Sequence, residues 1–195
     1  MSGSVLETRR AFGVLFVGVA AAVFAGAILS EIAFLSDAPL YYYALIWLGA
    51  FGATFGAAWP RFKKALPAIR GRMKNSVRWS QGAKALNAVC WAGPFAAIAA
   101  FPSLYQYLIL LGIGLGNLST YAMMKKYSAL DNREQLIVAA ISLAALPAAL
   151  LIDTSVFAEQ QDIAVMLSRM LIAVSYGAGG AFALLAREQA QPAHV

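Results

Sequence analysis

The stretch RFKKALPAIRGRMKNSVRWSQGAK, residues 61–84, holds eight Lys or Arg and no Asp or Glu. It lies between long apolar blocks. The acid-free interval around it runs from Ala38 to Leu130 and contains ten basic residues. Extending outward, fourteen of the fifteen basic residues of the chain fall on one side of a membrane threading, and Arg169 is the exception. Basic residues collect on the cytoplasmic side of membrane proteins, so this asymmetry predicts both the class of the fold and its orientation.

Composition agrees. Of 195 residues, 61% are hydrophobic and 12% charged, with a mean hydropathy of +0.69. A soluble domain carries about 25% charged residues, so most of this surface is suited to lipid. The apolar runs do not alternate and are near 20 residues long, which reads as helices. A single Cys (Cys90) excludes an intramolecular disulfide, and a single His (His194) excludes a bis-His haem or a His-rich metal site. The net charge of +6 reflects basic cytoplasmic loops, and no nucleic-acid partner is expected.

Six segments are long enough to cross or nearly cross a ~30 Å hydrocarbon layer. They are Ala11–Leu35, Leu40–Trp59, Ala85–Phe101, Leu104–Met124, Gln135–Ile152 and Ile163–Ala186. The connections alternate in charge. Glu31 and Asp37 flank the first, the third around Pro102 and Ser103 is uncharged, and the fifth holds Asp153, Glu159 and Asp162. The second and fourth hold the bases, Lys125, Lys126 and Arg133 lying in the fourth. Both termini are therefore expected in the cytoplasm of a multi-pass cell-membrane protein. The N-terminal Thr8-Arg9-Arg10-Ala11-Phe12 resembles a twin-arginine export signal. With the other loops it reads instead as a positive-inside anchor.

The expected fold is a single all-α domain over residues 1–195, with six transmembrane helices paired as three hairpins entered from the basic side. The second helix of each hairpin carries a glycine cluster: Gly49 to Gly56, Gly112 to Gly116, and Gly177 to Gly180. Gly52/Gly56 and Gly112/Gly116 have the spacing that lets lipid-embedded helices approach closely, so Gly52, Gly112 and Gly116 are expected against other helices. Pro94 and Pro147 fall mid-helix, where they free carbonyls.

Intramembrane polar groups are the pointers to function. Arg169 lies eighteen residues before Arg187, which sets it about 27 Å away along a helix and near the outer boundary. Its expected partners form an outer ion pair with Glu31 or Asp153. A second group, Asn87, Asn117, Thr120 and Tyr121, sits toward the cytoplasm, with Asn117 and Tyr121 one turn apart. Ser175 and Tyr176 are expected to continue a polar track inward from Arg169. In residues 61–84, Phe62, Ile69 and Val77 alternate with Arg70, Lys74 and Arg78, next to Trp79. That pattern predicts an interfacial amphipathic helix that binds anionic lipid or an acidic partner through those bases and Trp79.

No nucleophile–base pair or metal-ligand cluster is present in the pattern, so no enzyme activity, catalytic residue, cofactor or metal is expected. The expected function is a small permease or substrate-binding transport component for an uncharged solute or lipid-like molecule. The alternative is a non-transporting membrane subunit or scaffold that binds anionic lipid and a protein partner through the basic loop. Membrane lipids, anionic on the cytoplasmic leaflet, are the expected partners, with a homo-oligomer or a membrane-complex partner beside them.

Overall fold

The basic segment does not stay a loop. In the computed structural model, which describes residues 2–74, 79–128 and 130–186, Trp59 to Lys74 form a helix of their own. The described residues make seven α-helices and no strand: α1 Ser2–Leu35, α2 Tyr41–Ala57, α3 Trp59–Lys74, α4 Gln81–Ala97, α5 Tyr105–Ser128, α6 Arg133–Leu151 and α7 Gln161–Leu185. A short 3-10 turn, Pro102–Leu104, leads into α5, and a π turn, Ile152–Val156, extends α6.

Local chemistry sets the boundaries. Pro60 has no N–H to continue the ladder of α2, and its ring suits a first helical turn, so α2 ends at Ala57 and α3 begins at once. Ser80 is extended, and its hydroxyl accepts from the Ala83 amide at 3.2 Å, which starts α4 at Gln81 and places Lys84 on the helix. Pro102 holds Phe101 out of helical geometry (φ −131°), so α4 ends at Ala97, short of the expected Phe101. The first helix starts at Ser2, well before the apolar run.

Four helices, α1, α5, α6 and α7, are long and apolar enough to cross a membrane. The sequence expectation of six is therefore larger than length and composition support, because α2 and α4 have 17 residues each.

The helices pack as a row: α2 on α1, α1 on α7, α7 on α6, α6 on α5, and α5 on α4. The contact of α1 with α7 is the most extensive, and α3 lies against α1. Glycine permits the tightest of these contacts. A Cβ at Gly180 of α7 would fall 2.9 Å from the Val17 nitrogen and 3.1 Å from the Gly13 carbonyl of α1. One at Gly112 of α5 would fall 2.8 Å from the Phe95 ring of α4, and Gly116 lies against the Trp91 indole. Those two expectations agree with the fold. Gly52 does not: it, Gly49 and Gly56 have nothing within 4 Å, because α2 turns its other side to α1. The helix α3 buries Phe62, Ala65 and Ile69 and leaves Arg61, Lys63, Lys64, Arg70 and Lys74 exposed. Its apolar face meets the bundle, with the Phe62 ring beside Gly18 of α1. Val77 and Arg78 lie outside the described residues.

Candidate functional site

Asn87 and Trp91 stand one turn apart on α4 and so share a face. That face meets Ser119 and Thr120 of α5. The Trp91 indole N–H donates to Thr120 Oγ1 at 3.0 Å. The Ser119 and Thr120 hydroxyls lie 2.8 and 2.9 Å from Asn87 Oδ1, and 3.0 and 2.8 Å from the Gly116 carbonyl. Hydrogen bonds thus join α4 to α5 where the glycine lets the indole in.

This network walls a cleft of about 400 Å³. Phe12 of α1, Met73 at the end of α3, Met124 of α5 and Gln135 of α6 line the remainder, with Trp79, Lys84 and Ala88 on the α4 side. Gln135 is buried, and its Oε1 accepts from Asn132 Nδ2 at 3.0 Å. Trp79 is 7% exposed and packed with Ala83 and Met124, and among the described residues its indole N–H has no hydrogen-bond partner. The residue expected on the surface as a lipid contact is therefore largely enclosed. Its large apolar ring finds a cover at the junction of α4 and α5. Arg70 and Lys74 are exposed on α3, as the amphipathic pattern predicts.

Tyr121 belongs elsewhere. Together with Lys125, Asp131, Arg133 and Phe182 it lines a second recess of about 610 Å³ between α5, α6 and α7. Its hydroxyl lies 3.3 Å from Lys125 Nζ and 3.5 Å from Asp131 Oδ1. Arg9, which reaches the Asp131 carbonyl and the Phe182 ring of this lining, pairs with Glu134, Nε to Oε2 at 3.5 Å, and the Glu134 side chain is fully buried.

Asn117 and Tyr121 therefore do not form one site, although they are one turn apart. Asn117 is 1% exposed and donates to the Ile113 carbonyl at 2.9 Å. Its side chain lies by the Tyr176 hydroxyl, and the Tyr176 ring meets Phe16 edge-on at 5.4 Å. Ser175 is buried and donates to the Leu171 carbonyl of its own helix. These contacts are local, and among the described residues no hydrogen bond links Tyr176 to Arg169.

The outer group is also rearranged. Arg169 donates to the Tyr105 hydroxyl at 3.0 Å, and its guanidinium lies 5.8 Å from the centre of that ring. Asp153 sits on the π turn and accepts from the Tyr107 hydroxyl and, at 3.5 Å, from the Gln106 amide. Glu31 lies within electrostatic reach of both Asp162 and Arg169. Among the described residues no direct ion pair joins Arg169 to Glu31 or Asp153. Tyr105, at the start of α5, stands where the acid was expected beside Arg169, and Tyr107 takes Asp153 instead.

Sequence reasoning missed Trp91, Ser119, Lys84 and Gln135, together with Arg9 and Glu134. Trp91 was detectable from its four-residue spacing to Asn87. The Arg9–Glu134 pair had no signal beyond opposite charge on one side of the membrane. Comparison with models of known protein families, with curated proteins and with solved structures found no match.

Proposed function

We propose that this chain is a cell-membrane protein that crosses the bilayer six times with both ends in the cytoplasm. In this reading it is a small permease or substrate-binding transport component whose cargo is lipid-like. The observation that carries the reading is the 400 Å³ cleft, which combines apolar walls from Phe12, Met73 and Met124 with a polar wall from Asn87 and Thr120. Clefts of about 300–1,000 Å³, mostly apolar with a few placed polar groups, suit small amphiphiles, and bundles form them between helices. The two short helices fit this threading. Each rises about 26 Å, near the lower limit for a crossing. Leu45 and Leu48 of α2 and Leu86 and Val89 of α4 are exposed apolar residues suited to lipid.

The test uses Ala88, an exposed cleft residue. The Ala88→Trp variant fills the cleft without disturbing a buried contact, and Ala96→Trp on an exposed position of the same helix is the control. Mass spectrometry of amphiphiles released from protein purified in native nanodiscs should show a bound species lost in Ala88→Trp and retained in Ala96→Trp. Equal retention in both variants removes the cleft as the binding site.

A second reading, a scaffold or complex subunit without transport, is supported by α3. That helix turns its apolar side to α1 and leaves Arg61, Lys63, Lys64, Arg70 and Lys74 outward, available to anionic headgroups or an acidic partner.

A further inference from the structure

We propose that the cleft is a headgroup site for an anionic phospholipid, whose phosphate is held by Lys84, Trp79, Asn87 and Gln135. The proposal rests on the reading that the cleft takes a lipid-like molecule, and it names the chemical class.

The argument is a count of donors and acceptors. Lys84 lines the cleft and offers donors only, and among the described residues it has no ion pair. Trp79 has a donor and no acceptor, and among the described residues its buried N–H has no partner. Asn87 has an acceptor, but Ser119 and Thr120 occupy it, which leaves the amide nitrogen. Gln135 is in the same position, its oxygen taken by Asn132. Thr120 accepts from Trp91 and lies within reach of Asn87 and Gly116. Among the described residues no carboxylate lines the cleft. What remains is a set of donors with one positive charge.

A donor-rich, acid-free site matches a ligand with several acceptors, a negative charge and no donors of its own. A phosphodiester has those properties: two non-bridging oxygens share one charge. A cation or an amine would meet Lys84 and the unpaired indole N–H, and both contacts are unfavourable. The apolar part of the cleft selects the source. Phe12 and Met73 give the site walls that a free phosphate ion cannot use but a glycerol backbone and its first methylenes can. The position also fits. Trp79 and Lys84 lie at the C-terminal end of the basic segment, and headgroups meet Trp belts and juxtamembrane bases at such a border. The exposed Arg70 and Lys74 would draw anionic lipid toward the mouth without holding it.

Native mass spectrometry of the full chain tests this, in micelles supplied with phosphatidylglycerol and phosphatidylcholine of matched acyl chains. One tightly held phosphatidylglycerol is expected, retained over phosphatidylcholine. Lys84→Gln should weaken it by about tenfold, the usual loss for a charged hydrogen-bonding partner. Trp79→Phe keeps most of the packing, removes the N–H, and should weaken it by about fivefold. The double variant Arg70→Gln/Lys74→Gln should leave the tight species in place. Thermal unfolding of each variant separates lost binding from lost folding, and either single variant alone is enough for the test. Three results overturn the proposal: equal retention of the two lipids, loss of phosphatidylglycerol only in the Arg70/Lys74 variant, or its displacement by inorganic phosphate. If both lipids are held equally and both are lost in Ala88→Trp, the cleft still binds amphiphiles and only the headgroup assignment fails. If Ala88→Trp loses neither lipid, the underlying reading fails as well.

Discussion

Arg9 joins three helices through one guanidinium. It pairs with Glu134 of α6 at 3.5 Å, donates to the Asp131 carbonyl at 3.2 Å, and lies 5.8 Å from the centre of the Phe182 ring of α7. The two partners are not equally enclosed. The Glu134 side chain is fully buried, whereas that of Arg9 is 24% exposed. Removing the base takes the cation away from a buried carboxylate, and removing the acid leaves an arginine that still reaches water. Arg9→Gln should cost more stability than Glu134→Gln, toward the lower end of the ~3–5 kcal/mol seen when one partner of a buried pair is deleted. The double variant should recover part of the loss of Arg9→Gln. Thermal unfolding in detergent measures all three, and equal costs for the two single changes would refute the asymmetry.

At the scale of the helix, glycines from two of the three glycine clusters do opposite things. Gly180 of α7 and Gly52 of α2 both lie in helices, where Gly→Ala favours the helix by up to about 1 kcal/mol. At Gly180 the new methyl would press on the Val17 nitrogen and the Gly13 carbonyl, backbone atoms that cannot move aside. Gly180→Ala should therefore destabilise by about 1–3 kcal/mol, as overpacking does. At Gly52 a methyl meets nothing within 4 Å, so Gly52→Ala should be neutral or stabilising. Unfolding midpoints of the two variants give the sign directly. The repeat of small residues was plain in the sequence, but which side of each helix meets a neighbour was not. Spacing defines a face, and tertiary packing decides what covers it. The amphipathic character of residues 61–74 was legible because Phe62 and Ile69 recur at helical period among bases. The early start of α4 was not, since Ser80 acts as a cap only once the backbone around it is extended. That cap turns Lys84 from one of eight loop charges into a cleft residue.

For the whole molecule, the proposed orientation rests on charge distribution. Cysteine labels at Ser36 and at Gln160 should react with an impermeant reagent in intact cells, while a label at Ser2 should be shielded. A label at Lys74 that reacts from outside would reverse the threading. The all-helical character was readable from composition, because apolar runs of that length have few other ways to satisfy their backbones. The cleft was not. Its walls come from α1, α3, α4, α5 and α6, between Phe12 and Gln135, and only Asn87 and Thr120 announced themselves as polar residues in apolar surroundings. Trp79, Met73 and Gln135 each look ordinary until the row of helices closes around them.

The most extensive contact in the bundle, between α1 and α7, joins the first helix to the last. It follows that the chain is synthesised with its central seam open. Gly13, Val17 and Ala20 wait for Ala183, Gly180 and Gly177, which emerge only after everything between Leu35 and Gln161 has been made. At ~5–20 residues per second that delay is on the order of ten seconds. During it the Gly13–Ala20 side of α1 must be covered by lipid, by the insertion machinery or by a neighbouring chain. A chain that ends before Gln161 has a first helix without its main partner.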